Sequence, residues 1–109
     1  MSKIIIMNSA VIPQNQDGIY HYRTLTREDF VIEINWATEI ESYVGYQETV
    51  DHIFEISGVK LNINRTIVQH VDVPILICRL KFRVNPGLKG QIKPQSDDWD
   101  YGRLKKEVK

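Results

Sequence analysis

Two short clusters in this chain carry residue types suited to holding a phosphate or a nucleobase. The first is Gly45-Tyr46 with Thr49 behind it, and the second is Asn64-Arg65. Gly45-Tyr46 leads into a stretch with helical spacing. The first turn of a helix leaves backbone N–H groups without partners at the positive end of the dipole, which is a place for an anion. Arg65 brings a planar fork of donors that fits a phosphate or stacks on a base, and Asn64 can pair with a base edge or cap a turn. Each also has a plainer use: Gly45 suits a tight turn, Thr49 satisfies first-turn backbone, and Arg65 is at home in solvent.

The elements that must position these groups can be read around them. Val50, Ile53, Phe54 and Ser57 fall at i, i+3, i+4 and i+7, one face of a helix of about three turns. Gly58 sits where a helix C-terminus takes the left-handed conformation, and Val59, Leu61 and Ile63 then alternate as an extended segment would. Upstream, Lys3 to Met7 is a run of isoleucines too short for a helix and suited to a buried central strand. Ligands of open α/β sheets sit beyond the carboxyl ends of strands, so Asn8, Ser9 and Ala10 are candidate contacts. Ile19 to Arg23 alternates as a short edge strand with Tyr20 and Tyr22 on one face, where they can pack or stack on a base. Thr26 followed by Glu28-Asp29 is a helix start, with Leu25, Phe30 and Ile34 as its apolar stripe, and predicts a helix from Arg27 to Ala37, while the alternation from Phe30 to Trp36 fits a strand equally. Thr66 to Val71 and Ile75 to Val84 read as two further strands. The second of these lines one face with Arg79, Lys81 and Arg83, which calls for salt bridges or for an anionic partner.

From Asn85 onward Pro86, Gly87, Gly90 and Pro94 interrupt any pattern, and an acidic and aromatic stretch surrounds Trp99 and Tyr101. An irregular arm is expected there, folded back to shelter its aromatic rings, with Lys105 to Lys109 frayed. The fold class expected is α/β (α+β): one small domain with a mixed sheet of roughly four to five strands and two helices. Residues 1–90 form the domain and 91–109 the arm.

The order of these pieces, Ser42-x-x-Gly45-x-x-x-Thr49, Gly58, Asn64-Arg65, with Asn8-Ser9, Gly18-x-Tyr20-x-Tyr22 and Arg83 before a Pro-Gly turn, resembles the anti-CRISPR ring nucleases of viruses and mobile elements. The resemblance covers roughly residues 3 to 90. It implies a pocket for cyclic tetra-adenylate or a similar cyclic nucleotide, formed by Asn8, Ser9, Ala10, Gly45, Tyr46, Thr49, Asn64, Arg65 and Arg83, and a homodimer with the ligand across its two-fold. It also implies a catalytic histidine at the position of Tyr46 and a glutamate soon after Arg83, where this chain has Asn85-Pro86-Gly87. An ordinary phenol, with a pKa near 10, is a poor proton carrier at neutral pH. The expectation is therefore a sponge that sequesters an immune signal; the alternative is an active, metal-independent ring nuclease, with His52 or His21 supplying the proton. A third reading is an interaction module that has kept the fold and lost the ligand.

Composition bounds these readings. The 109 residues are 42% hydrophobic and 26% charged, with no formal net charge, which fits a soluble globular protein and disfavours a duplex nucleic-acid binder. A lone Cys78 forms no intramolecular disulfide and suits a reducing cytoplasm. The apolar N-terminus is too short for a membrane span. His21, His52 and His70 have no zinc spacing and no Walker or dinucleotide motif is present, so neither a metal nor a cofactor is expected. His52 is expected to be a partly exposed helix residue.

Overall fold

A computed structural model of the protein describes residues 3–8, 18–66, 73–81 and 98–107. Five strands and two helices follow in the order β1 (Lys3–Met7), β2 (Tyr20–Leu25), α1 (Arg27–Trp36), β3 (Glu39–Tyr43), α2 (Gln47–Ser57), β4 (Ile75–Leu80) and β5 (Trp99–Lys106). They form one mixed sheet with the strand order β2-β5-β4-β1-β3, an α+β fold. β1 runs parallel to both β3 and β4, with Ile5 opposite Glu41 and Ile75. β5 runs antiparallel to β4 and β2.

Both helices lie on the same face of the sheet. Phe30 and Ile34 of α1 and Val50 and Ile53 of α2 share one core with Ile4, Ile6, Leu76, Cys78, Trp99 and Tyr101. Ile5, Met7, Ile75, Ile77 and Leu104 form a second core on the opposite face. β1 is thus buried on both sides, which is why it reads as unbroken isoleucine rather than as an alternation.

The helix ends follow local chemistry. Thr26 Oγ1 accepts the Asp29 amide at 3.1 Å, and Glu28 and Asp29 face the positive end of α1. Thr26→Ala should cost about 1 kcal/mol; a denaturation midpoint equal to that of the wild type would show that this cap is replaced by solvent. α2 ends at Gly58, whose φ of 76° is the left-handed conformation that glycine adopts without a Cβ clash.

Five expectations are corrected. The expected irregular arm contains β5, an eight-residue strand in the interior of the sheet, and Lys105 and Lys106 belong to it. Its charges masked it, since they are counter-ions: Asp100 meets Arg79 at 3.1 Å and Lys81 at 3.9 Å, and Arg103 bonds Glu33 of α1. Gly102 lets the Tyr22 ring lie on the strand, for a Cβ there would stand 2.2 Å from Tyr22 Oη. The buried face of α2 is Thr49, Val50, His52 and Ile53, while Phe54 is 52% exposed. His52 is therefore a core residue. Between Val59 and Ile63 there is no strand; Leu61 is buried and Ile63 is exposed as the chain crosses back to β3. β4 ends at Leu80, and Lys81 is already in a bend. The strand expected over Thr66 to Val71 lies, beyond Thr66, outside the described residues, as do residues 82–84.

Candidate functional site

At one end of the sheet the carboxyl ends of β1 and β3 lie side by side, as their parallel register requires. Asn8 follows β1, and Val44-Gly45-Tyr46 carries the chain from β3 into α2. Asn8 Oδ1 accepts the Gly45 amide at 3.0 Å, joining the two strand ends. The segment after α2 returns to the same spot. Asn64 donates its backbone N–H to Val44 O at 2.8 Å and its Nδ2 to Ser42 O at 3.0 Å, while its Oδ1 accepts the Thr66 amide at 3.0 Å. Ser42 Oγ donates to Asn62 O at 2.7 Å. Arg65 donates from Nε to Gly45 O at 2.9 Å. A Cβ on Gly45 would stand 3.2 Å from Arg65 Cγ, so the glycine allows the arginine to lie against the turn.

Asn8, Gly45, Tyr46, Asn64 and Arg65, far apart in sequence, are thereby gathered at the N-terminus of α2. The Asn and Arg side chains build the turn with some of their groups. Arg65 makes its hydrogen bond through Nε, leaving both terminal guanidinium nitrogens without a partner among the described residues. Tyr46 is the N-cap residue, makes no side-chain cap bond, and is 53% exposed. Val50 is the first amide to reach a helix carbonyl, that of Tyr46 at 3.2 Å, so the amide of Gln47 has no partner within the helix. Thr49 differs from the others: it is only 3% exposed and is packed into the core rather than presented to the cluster. Ser9, Ala10 and Arg83 lie outside the described residues.

Neither histidine considered as a substitute proton donor is in this cluster. His21 is exposed on β2, at the far edge of the sheet, with Nε2 3.4 Å from Glu107. His52 points inward, with Nε2 2.7 Å from Tyr101 Oη and its ring stacked on Trp99 at 4.3 Å. Burial holds the His52 pKa below its usual value; Glu55 opposes that shift and Arg27 adds to it. Burial likewise pushes the Tyr101 phenol up to about 12. The His52–Trp99–Tyr101 group was not legible as a unit, although Trp99 and Tyr101 are two residues apart and so share a strand face. Cys78 is free and buried, and burial raises its thiol pKa, so it is no nucleophile. Among the described residues no group of His, Cys, Asp and Glu side chains could hold a metal ion, and no helix is long and apolar enough to cross a membrane.

Comparison with known proteins adds the family. No curated protein matches the chain. Among solved structures it is similar to B116 of Sulfolobus turreted icosahedral virus, with a TM-score of 0.70 over 95% of this chain and 99% of that one. The two are 15% identical, so this likeness speaks for the fold alone. The family model described as STIV B116-like, named for a viral protein, matches residues 4–97. With that match running from β1 to β4 through both helices, the chain belongs to the STIV B116-like family.

Proposed function

We propose that this protein binds a cyclic nucleotide immune signal, of the cyclic oligoadenylate kind, and sequesters it without efficient cleavage on behalf of a phage or mobile element. The observation that carries this reading is the convergence of Asn8, Gly45, Tyr46, Asn64 and Arg65 at the N-terminus of α2. Asn8, Gly45, Asn64 and Arg65 are positions at which the sequence resembles the anti-CRISPR ring nucleases, and Tyr46 is the position at which it departs from them. Each offers something a ring of nucleotides needs. The amide of Gln47 and the terminal nitrogens of Arg65 suit phosphate oxygens, and the exposed Tyr46 ring suits a base. Glu48 carries a carboxylate in the same turn, so a phosphate is better placed on the Arg65 side. Ser9, Ala10 and Arg83 complete the proposed pocket by the same resemblance.

Sequestration is favoured over cleavage because the position of the family's histidine is occupied by Tyr46, and His52 is engaged with Trp99 and Tyr101. A ring with internal symmetry fits a two-fold axis, so the proposal includes a homodimer in the cytoplasm of the host cell. A strict monomer at micromolar concentration in a mass measurement would remove the dimer.

Arg65→Ala should weaken cyclic tetra-adenylate binding by about 1.5 to 3 kcal/mol, the scale of a charge-assisted hydrogen bond. Titration calorimetry beside a thermal melt separates lost contact from lost fold. Wild-type affinity in that variant would mean the pocket lies elsewhere.

A further inference from the structure

We infer that the opposite edge of the sheet carries a second anion site, on β2 and β5, for a small ligand with adjacent phosphate groups. The antiparallel register sets Arg23 opposite Arg103 and His21 opposite Lys105. Directly opposed residues of an antiparallel pair project from the same face with Cβ atoms about 5 Å apart, and like charges so placed repel. That face is the one covered by the helices, because Arg103 reaches Glu33 of α1. Together with Lys106 and Glu107 these side chains line a concavity of about 490 Å³.

The local charge is not balanced. Glu33 meets Arg103, and Glu107 meets His21 at 3.4 Å, while Arg23, Lys105 and Lys106 have no ion pair among the described residues. In a chain with no net charge, such a concentration in one hollow is a local choice, and repulsion across β2 and β5 is relieved if an anion bridges the strands. The lining names the ligand class. Its helix-side face offers the guanidinium groups of Arg23 and Arg103, the latter also bonded to Glu33, and the ammonium of Lys105, matched to phosphate oxygens, and its lining has no phenylalanine, tyrosine or tryptophan on which a base could stack. Tyr22, paired with Leu104, belongs to the other face, where it lies over Gly102. The volume suits a small molecule. This site is independent of the cluster around Gly45 and Arg65, which lies at the β1 and β3 end of the sheet.

Inorganic pyrophosphate is the probe, titrated into the full chain while backbone amides are followed by NMR. The expected result is a saturable shift of residues 21–23 and 103–107, with a Kd of about 1 mM or tighter. Arg23→Gln should weaken that binding by about tenfold or more, and Arg65→Ala should leave it unchanged. Arg23→Gln should also raise the melting temperature slightly, since it removes one of two opposed charges; a merely structural arginine would lower it. Absence of any shift on β2 and β5 at several times that concentration would overturn the inference. So would shifts that persist unchanged in Arg23→Gln, or single-stranded RNA binding to these residues more tightly than pyrophosphate.

Discussion

His52→Ala is expected to lower the unfolding free energy by about 3 kcal/mol. Three losses combine: the hydrogen bond to Tyr101 Oη, whose own buried hydroxyl then lacks that partner; the stacking on Trp99; and the volume of the ring between α2 and β5. His52→Phe keeps most of the ring contact and should recover about half of the loss. The same histidine predicts a pH dependence. Its folded pKa is depressed, so below about 6.5 the unfolded chain takes up a proton that the native state refuses. Stability is then full above pH 6.5 and falls as pH drops toward the folded pKa, by at most about 1.4 kcal/mol per pH unit. The difference between wild type and His52→Phe isolates this effect from His21. Parallel pH profiles for the two proteins would show that His52 is protonated in the native state as readily as in the unfolded one.

Tyr46→His is expected to turn a binding protein into a slow nuclease. In the proposed complex a ribose hydroxyl of the ring attacks the neighbouring phosphate, and the leaving oxygen needs a proton that a phenol does not deliver at neutral pH. An imidazole with an ordinary pKa near 6.5 can deliver it, and general acid catalysis contributes about 10²- to 10⁴-fold. The gain should lie at the low end, because Asn85 and its neighbours stand where the resemblance implies a glutamate. The variant's rate should follow the protonated histidine and decline above neutral pH. A variant that binds cyclic tetra-adenylate as tightly as wild type yet leaves it intact would show that position 46 does not face a scissile phosphate.

What the sequence revealed depended on whether a signal was local. Thr26 with two acids behind it, and Gly58 after an amphipathic stretch, each satisfy backbone groups within one turn, and α1 and α2 begin and end near where those residues predict. β1 was legible because a strand buried on both faces leaves no alternation to confuse. β5 was hidden because its stabilising contacts are with distant residues: Asp100 with Arg79, Arg103 with Glu33, and Gly102 with the ring of Tyr22. Seen without those partners, it reads as a charged tail. The candidate site was half legible for the same reason. Gly45 and Arg65 stand out as residue types, but only the return of the chain after Gly58 brings Arg65 Nε to Gly45 O. Thr49 fits the spacing and yet turns inward, because a helix lying flat on a sheet buries more of its first turn than a narrow stripe would.

The central claim is capture without destruction, and one experiment addresses both halves. Purified protein is equilibrated with cyclic tetra-adenylate, the complex is separated by size, and the ligand is released by heat and resolved by chromatography. The account predicts a stable complex from which the intact ring is recovered after hours, at one ring per protein dimer. Failure to retain the ring, or its rapid conversion to linear products over many turnovers by the unmodified protein, would contradict it.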